Sequence, residues 1–479
     1  MAMTVERSSA NSFRLASIGP NRLVRLLGDW RRGEGALHDE LANQLRDLIR
    51  TRAMSSGTRL PSERALSTAL GLSRNSVTKA LDLLRGDGLL SSRRGDGTYV
   101  TASSQPRTMR GEHRLRSFMP DEGPDRIDLR SAALPGLPMV ADQLNMLDGS
   151  RTRELVASHG YLPSGLPELR AAIAEYYSNL GLPTEPGHIL VTSGAQQALR
   201  LAAESFVTPR STVIVEEPSF RGAIESLKAL GVRLVGVASG ADGVDVEELA
   251  LAISRESPSL VVLQSTVHNP TGSVLDGFRR SRVAALAARH GVPVIDDATL
   301  ADTIIDGERR PIPLGSGGDL IVTVGSVSKS FWGGLRLGWL RANPDLVSEL
   351  AEVKGAMDLG TSLVAQILAS QLLPEIERAR DERLMMLSEN RRIALDALAE
   401  HLPEWTPQIP RGGGSLWIQL PSAGATAFTQ RAERGGVRLM PGSTFSVMDR
   451  LDDHVRLSYA GAPELTVRGI ELLAQVWAG

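Results

Sequence analysis

The first hundred residues alternate helical apolar stripes with short polar breaks. Apolar residues recur three and four positions apart, the spacing of one helix face, in residues 23–30, 37–52, 65–70 and 77–84. Ser62 and Ser73 precede the last two stripes, where their hydroxyls can cap helices, and Gly71 marks a tight turn between them. The pattern predicts four helices, of which the first is an additional packing helix.

Polar side chains gather at the start of the fourth predicted helix. Five of them face away from its apolar stripe: Arg74, Asn75, Ser76, Thr78 and Lys79. A helix N-terminus favours phosphate, and Arg can donate two hydrogen bonds to guanine. Residues 88–100 then predict a hairpin with a basic, Gly-rich tip. A single helix with surface Arg is usually a solvated face, but this order of elements favours a winged helix-turn-helix that binds DNA.

The remainder of the chain has a different pattern. Residues 101–126 are polar, contain Pro and Gly and lack apolar periodicity, which is typical of a linker. Beyond them, amphipathic helical stretches separate most of the near-continuous apolar runs, which are residues 188–192, 212–216, 260–264, 293–297 and 320–324. The alternation predicts an α/β domain with a mostly parallel sheet, whose ligands bind at the carboxyl ends of the strands.

Composition and charge narrow the classes of function. The chain has 479 residues and a net charge of −2, and residues 1–100 hold 16 Arg and Lys against 10 Asp and Glu. The excess of basic residues there is where nucleic acid is expected to bind. The absence of Cys excludes disulfides, Cys-ligated metals and a thiol nucleophile, and no ligand spacing argues for any metal. With no signal peptide and no run of about 18 apolar residues, we expect a cytoplasmic protein without a membrane partner.

Lysine is rare in this chain, and one lysine lies in a segment rich in Gly and Ser. Only four of the 53 basic residues are Lys, and Lys329 lies within residues 325–338, GSVSKSFWGGLRLG. Arg stays protonated near neutral pH, whereas a desolvated Lys can lose its proton and form an imine. The segment therefore looks like an anchor for pyridoxal phosphate.

Polar and aromatic residues follow several predicted strands. Residues 193–195 open a helix whose free N–H groups can hold a phosphate, and Phe220 can stack on a flat ring. Asn269 lies in a stiff HNPTG turn, and Asp297 could pair with a pyridinium nitrogen. Each of these features alone has a structural explanation, so the prediction of a pyridoxal phosphate site depends on the whole set.

Residues 37–100 resemble the DNA-binding domain of the GntR superfamily, through the segments LPSER, LSRNSVTKAL and RRGDGTYV. The resemblance implies binding to a double-stranded DNA operator. By position, its DNA contacts are Arg64, Arg74, Asn75, Ser76, Lys79, Arg93, Arg94 and Gly95. Thr78 stands where some members have a DNA-contacting Arg, so the operator sequence is not carried over.

Residues 127–479 resemble the fold-type I aminotransferases that depend on pyridoxal phosphate. The resemblance implies that Lys329 forms the internal aldimine (a Schiff base) and that Asp297 is the partner of the ring nitrogen. It further implies that Asn269 binds the 3′ oxygen and that Arg456 binds the carboxylate of an amino acid effector. The remaining cofactor contacts would be Ser193, Gly194, Ala195, Phe220, Thr299, Ser326, Arg336 and, across a dimer, Tyr161. Thr299 departs from the Tyr usual at its position, which leaves a hydroxyl with a shorter reach.

The two resemblances together are typical of the MocR subgroup of bacterial regulators. They divide the chain into an N-terminal extension with a helix (1–36), a winged helix-turn-helix (37–100), a linker (101–126) and an aminotransferase-like effector and dimerisation domain (127–479). The implied function is a pyridoxal-phosphate-dependent transcriptional regulator and not an enzyme. It would act as a head-to-tail homodimer and sense the cofactor, or a small amino acid or amine, through the aldimine at Lys329.

Two alternatives stay open at this point. The chain could be an active aminotransferase that also binds DNA, since Lys329 and Arg456 are both present, and residual transaminase activity is compatible with a regulator as well. It could also be a regulator on a vestigial scaffold without cofactor. In that case Lys329→Ala would change neither the visible spectrum nor the response to DNA.

Overall fold

The computed structural model describes residues 17–28, 30–31, 36–50, 53–54, 57–93, 96–101, 126–146, 153, 156–305, 309–448 and 450–478. The chain divides into two compact units, residues 1–119 and 120–479. The smaller unit holds the predicted DNA-binding domain and the larger unit holds the predicted α/β domain.

The smaller unit contains four helices followed by a β-hairpin. In chain order these are α1 (Pro20–Leu27), α2 (Leu37–Arg50), α3 (Glu63–Leu70), α4 (Arg74–Gly86), β1 (Leu90–Arg93) and β2 (Gly97–Val100). The Ser62 hydroxyl accepts a hydrogen bond from the N–H of Ala65, and the Ser73 hydroxyl accepts one from the N–H of Ser76. Gly71 makes the turn between α3 and α4 at φ 62°. The predicted winged helix-turn-helix and both predicted caps are confirmed.

Helix α1 belongs to the core of the smaller unit. Leu23 and Leu27 are buried in an apolar cluster shared with α2, α3 and α4. Just before α1, the N–H of Ile18 donates a hydrogen bond to the carbonyl of Arg59, which also bridges to Tyr99 on β2. As predicted, α1 is a packing helix of the DNA-binding fold.

The larger unit begins with the short strand β3 (Ile127–Asp128) and is built on an eight-stranded sheet whose strands come later in the chain. The strands are β4 (Ile189–Thr192), β5 (Thr212–Glu217), β6 (Arg233–Gly240), β7 (Gly243–Val244), β8 (Leu260–Leu263), β9 (Val294–Asp297), β10 (Ile321–Ser326) and β11 (Gly338–Arg341). Their order in the sheet is β4-β11-β10-β9-β8-β5-β6-β7. Strands β6, β5, β8, β9 and β10 are parallel, and β11 runs antiparallel to both β10 and β4. The carboxyl ends of β4, β5, β8, β9 and β10 therefore share one edge.

Helices cover both faces of this sheet. They are α5 (Pro138–Asn145), α6 (Pro167–Asn179), α7 (Ala195–Phe206), α8 (Arg221–Lys228), α9 (Val246–Glu256), α10 (Gly277–His290), α11 (Pro344–Asp358) and α12 (Leu363–Leu372). Alternate residues of β5 enter different apolar clusters, Val213 and Val215 with α7 and Ile214 with α9 and α10. Burial on both faces explains why the predicted strands are continuously apolar.

A small lobe completes the larger unit. It contains α13 (Ile376–His401), β12 (Thr406–Gln408), β13 (Ser415–Gln419), α14 (Ala425–Arg434), β14 (Val437–Arg438), β15 (Met440–Pro441), β16 (His454–Ser458) and α15 (Pro463–Ala478). Strands β12, β13, β16 and β15 form an antiparallel sheet in that order, and β14 pairs in parallel with β3. The predicted fold class, a winged helix-turn-helix joined to an α/β domain, is confirmed. Among the described residues, no helix is both long and apolar enough to span a membrane.

Candidate functional site

Lys329 lies in the turn that follows β10, at the carboxyl edge of the central sheet. Its half-buried amine donates a hydrogen bond of 2.7 Å to the carbonyl oxygen of Ala132. Burial, reinforced by the cations Arg456 and Arg383, lowers the pKa of Lys329 to about 8. Such an amine is partly unprotonated at neutral pH, and the unprotonated form is the one that attacks a carbonyl carbon.

Asp297 is the last residue of β9 and is buried at the same edge. One carboxylate oxygen accepts hydrogen bonds from the N–H and the hydroxyl of Thr299, and the other accepts one of 3.1 Å from the amide of Gln264. Burial raises the pKa of Asp297, although these hydrogen bonds oppose the rise. The Thr299 hydroxyl thus donates its hydrogen bond to Asp297. The predicted contact of Thr299 with the 3′ oxygen stays a prediction.

Arg456, on β16 of the small lobe, is a buried cation with neutral partners. One guanidinium nitrogen donates a hydrogen bond of 3.0 Å to the side-chain oxygen of Asn269, and another donates to the carbonyl of Arg130. Its Nε is buried without a hydrogen-bond partner among the described residues, and the ring of Phe445 lies 4.9 Å from the guanidinium. Burial lowers the pKa of Arg456 to about 10. The arrangement suits an anion, because nothing acidic in the described chain is bonded to this charge.

A cradle for an anion forms where β4 meets α7. Gly194 has φ 102°, and a side chain there would approach the guanidinium of Arg336 to 3.0 Å. No side chain in the described chain caps α7, whose first residue is Ala195, so its leading N–H groups and the exposed Arg336 can bind phosphate. Arg336 also lies 3.5 Å from the carbonyl of Ser193, so four of the predicted phosphate contacts (Ser193, Gly194, Ala195 and Arg336) lie together.

Ser326 is hydrogen-bonded within the segment that carries Lys329, and its predicted contact with the phosphate stays a prediction. Its buried hydroxyl lies 2.9 Å from the carbonyl of Leu337 and accepts a hydrogen bond of 3.1 Å from the N–H of Ser328. The hydroxyl of Ser328 lies 2.9 Å from that of Ser326. Ser328 is therefore a second hydroxyl beside Lys329, and its position in the SVSK segment was a signal that the sequence argument did not use.

The two predicted aromatic contacts differ in exposure. Phe220 is half-buried directly before α8 and packs against the apolar cluster of the central sheet. Tyr161 is 58% exposed, and its ring stacks on His159 at 6.0 Å. The contacts of Phe220 and Tyr161 with the cofactor stay predictions.

Two buried residues of the site were missed by the sequence argument. Gln264 follows β8, where its side-chain oxygen accepts a hydrogen bond from the N–H of Asn269 and its amide donates to Asp297. Arg383, on α13, donates hydrogen bonds to the backbone carbonyls of the two residues that follow Lys329 and to that of Pro135. No local pattern announces either contact, because their partners are remote in sequence.

The predicted DNA contacts in the smaller unit are mostly exposed. Arg64, Arg74, Asn75 and Lys79 are exposed, and Ser76 is half-buried at the capped start of α4. The predicted contacts Arg94 and Gly95 lie outside the described residues, as does the side chain of Arg93.

Thr78 corrects one expectation about α4. It was expected to face outward, but it is half-buried, and its hydroxyl donates a hydrogen bond of 2.9 Å to Glu63. Arg85 forms an ion pair of 3.1 Å with the same carboxylate and donates hydrogen bonds to Ser92 and Thr98 of the hairpin. Through this hydrogen bond to Glu63, Thr78 links α4 to α3, although some members of the family have a DNA-contacting Arg at its position.

Comparison with known proteins supports both halves of this picture. Residues 137–470 match the family model of aminotransferase class I and II, and residues 37–100 match that of bacterial regulatory proteins of the gntR family. The chain is 27% identical over 470 residues to the probable rhizopine catabolism regulatory protein MocR of Rhizobium meliloti, which covers 90% of this chain and 92% of that protein. It is 30% identical over 310 residues to the 2-aminoadipate transaminase of Thermus thermophilus, with 63% of this chain and 76% of that enzyme covered.

A solved structure extends the likeness to the bound cofactor. The crystal structure of LysN, an α-aminoadipate aminotransferase from Thermus thermophilus complexed with N-(5′-phosphopyridoxyl)-L-leucine, superposes with a TM-score of 0.67 at 26% identity. The match covers 74% of this chain and 93% of that chain. The cofactor that the fold and these relatives imply is pyridoxal phosphate.

The residues present fit that cofactor. The edge of the sheet offers an amine of lowered pKa at Lys329, a buried carboxylate at Asp297 and a phosphate cradle at Gly194 that a side chain would obstruct. The molecule is therefore a DNA-binding regulator that carries an aminotransferase-like domain. The chain belongs to the aminotransferase class I and II family over its larger unit. With its gntR-family domain, it belongs to the MocR subgroup of transcriptional regulators.

Proposed function

We propose that this regulator binds an amino acid at the site around Lys329 and changes its DNA binding in response. Arg456 is the observation that carries the proposal. In the described chain its buried guanidinium is hydrogen-bonded by an amide oxygen and a backbone carbonyl and lies against the ring of Phe445, while Nε has no hydrogen-bond partner. A buried cation is costly without an anionic partner, so this guanidinium is suited to binding a ligand carboxylate.

The other residues have roles that follow from their contacts. When bound, pyridoxal phosphate supplies an aldehyde carbon that reacts with amines and a ring that withdraws electrons. Lys329 would hold the cofactor through Nζ, which gains or loses a proton close to neutral pH. Asp297, fixed by Thr299 and Gln264, would accept a hydrogen bond from the ring nitrogen. Arg336 and the leading N–H groups of α7 would bind the phosphate.

The signal is a change in the contacts of Arg456. A carboxylate bound there competes with the hydrogen bonds to Asn269, which follows β8, and to Arg130, which follows β3. Since Arg456 lies on the small lobe, ligand binding alters a contact between that lobe and the central sheet. A ligand shifts such a balance only by its differential affinity for the two arrangements. We infer that the two arrangements differ in their affinity for DNA.

We also infer that the protein acts as a head-to-tail homodimer. Two winged helix-turn-helix domains suit a pair of half-sites, as in other dimeric regulators. The exposed ring of Tyr161 is available to contact the cofactor phosphate of the other subunit. Light scattering tests the stoichiometry. Mixing Lys329→Ala chains with Tyr161→Phe chains tests the arrangement, because one site in each mixed dimer would regain both residues.

The deciding experiment measures DNA affinity as a function of ligand. A duplex selected from a random pool is titrated with wild-type protein and with Arg456→Met, with and without pyridoxal phosphate, and each amino acid is paired with its decarboxylated amine. We expect amino acids to change the DNA dissociation constant only when the cofactor and Arg456 are both present. Unchanged DNA affinity and unchanged DNA-bound geometry across the whole panel would contradict the proposal.

A working aminotransferase is the second candidate, favoured by the presence of Lys329, Asp297 and Arg456 in one site. We infer that any turnover is residual, because full-length relatives of this chain are named as regulators. Steady-state conversion of an amino donor and a keto acid, with Lys329→Ala as the blank, tests this. Turnover of several cycles per second, in the range of typical enzymes, would favour the second candidate.

A further inference from the structure

Arg383 is a fully buried arginine on α13 without a carboxylate partner in the described chain. It is 0% exposed, and its Nη1 has no hydrogen-bond partner among the described residues. Its other donors contact backbone oxygens: Ser330 at 3.2 Å, Phe331 at 2.7 Å and Pro135 at 2.6 Å. In the described chain, every hydrogen bond of this cation, which is costly to bury, thus goes to a main-chain carbonyl.

Those carbonyls belong to the two segments that surround Lys329. Ser330 and Phe331 directly follow Lys329 in the turn after β10. Pro135 lies three residues beyond Ala132, whose carbonyl accepts the hydrogen bond from Lys329 Nζ. A single planar guanidinium therefore holds both the turn that carries the lysine and the segment that its amine contacts. The fork geometry is particular to Arg, since a Lys ammonium is a point charge on a flexible stem.

Arg383, whose own charge is partly offset by the neighbouring Glu382, also contributes to the positive field at Lys329. The charged groups that face Lys329 are Arg456 from β16 and Arg383 from α13. Arg130, on the segment of Ala132, is neutralised by an ion pair of 2.5 Å with Asp128.

Asp302, an acidic residue that contacts the turn carrying Lys329, is already paired. Asp302 forms an ion pair of 2.6 Å with Arg310 and accepts a hydrogen bond of 2.7 Å from the hydroxyl of Ser330. No described acidic side chain forms an ion pair with Lys329 or Arg383, so no such pair offsets the repulsion between these two cations.

We propose that Arg383 is a positioning residue for Lys329, which holds the lysine turn against the 132–135 segment and keeps the amine reactive near neutral pH. The inference deepens the cofactor site of the proposed function and rests on it for its biological meaning. The geometry of Lys329 that it explains exists in the chain before any cofactor binds, so the inference has a test of its own.

The test measures the reactivity of Lys329 in the full-length chain without added cofactor. The protein is labelled with an amine-reactive acetylating reagent across a pH series, and the rate at each lysine is read from peptide masses. The chain has only four lysines, so the assignment is simple, and exposed Lys79 is the internal reference. We expect a midpoint near pH 8 for Lys329 in the wild type.

Three variants separate the effect of the Arg383 charge from that of its planar guanidinium and from that of a loss of protein stability. Arg383→Met removes the cation, and we expect the Lys329 midpoint to rise by about half a unit or more, because a like charge no longer disfavours the protonated amine. Arg383→Lys keeps the charge and should keep the midpoint. It should still weaken the binding of pyridoxal phosphate by roughly tenfold, because the fork is lost. Leu398→Ala, a buried apolar truncation on the same helix, should change neither property.

The outcomes decide between a positioning role and a merely structural one. Wild-type midpoints in Arg383→Met, or an equal shift in Leu398→Ala, would overturn the proposal. If Arg383→Met does not fold, an Arg383→Lys protein that binds pyridoxal phosphate with wild-type affinity would overturn it as well. Failure of the proposed function is distinguishable. In that case no amino acid changes the DNA affinity of the wild type, while the labelling midpoints still report on Arg383.

Discussion

The two units of this molecule use their charged side chains in opposite ways. In the smaller unit, Arg64, Arg74 and Lys79 are exposed at the surface predicted to meet DNA. In the larger unit, Arg383 and Arg456 are 0% and 7% exposed and are held by carbonyl and amide oxygens. Exposed cations act on a polyanion through solvent and are screened by salt, whereas buried cations act over short distances in a low dielectric. Single substitutions should therefore have larger effects in the larger unit.

The largest effect is expected at Lys329. Lys329→Ala removes the amine that attaches the cofactor, so the visible absorption band that wild-type protein shows with pyridoxal phosphate should vanish completely. Lys79→Ala, in the other unit, is the matched control and should leave the band intact. A band that persists in Lys329→Ala would mean that the cofactor is held without this lysine, and the search for the effector would move to other ligands.

The next largest effect is expected at Arg456. Arg456→Met leaves a ligand carboxylate buried without its cation, which should cost about 2–5 kcal/mol of amino acid binding. The decarboxylated amine should lose nothing, because it never contacts this side chain. Spectral titration measures both dissociation constants. Arg392→Met, at a residue whose exposed side chain pairs with Glu389 and Asp396, is the control that should change neither.

The exposed surface should respond more modestly. If Arg74 pairs with a guanine, Arg74→Ala should weaken DNA binding by about 1–3 kcal/mol and relax specificity at one position. Lys79→Ala should instead weaken binding to all DNA sequences equally and should lower the salt dependence of the DNA affinity by the share of about one phosphate contact. Binding of a duplex library at several salt concentrations separates these effects. Uniform weakening by Arg74→Ala would make Arg74 a phosphate contact and remove its assigned role in sequence recognition.

The sequence predicted what local rules determine. The caps at Ser62 and Ser73 and the turn at Gly71 follow from hydroxyl and glycine chemistry over a few residues, and the structure confirms them. The strands and their common carboxyl edge follow from burial on both faces of the sheet. The fold class was therefore within reach of the sequence alone.

The missed contacts are those that tertiary structure creates. Arg383 meets Pro135 across 248 residues of chain, and its acceptor is a backbone carbonyl that every residue type possesses. The Thr78 hydroxyl also donates to Glu63 instead of facing outward, and the Thr299 hydroxyl donates to Asp297, a contact that the sequence did not indicate. A short hydroxyl side chain takes the nearest acceptor, and only the packed structure identifies that acceptor.

The smallest effect is expected at the two helix caps, and it sharpens the contrast between the units. Ser73→Ala removes the acceptor of the Ser76 N–H and Ser62→Ala removes that of the Ala65 N–H, so each should lower the stability of the smaller unit by about 1 kcal/mol. Ser73 also fixes the first turn of α4, which carries Arg74. We therefore expect Ser73→Ala to weaken DNA binding beyond its stability cost, while Ser62→Ala follows stability alone. Thermal unfolding and DNA titration of both variants measure this difference. Equal losses of DNA affinity would show that the start of α4 is no more sensitive to capping than the rest of the unit. Both variants should leave the absorption band of the larger unit unchanged.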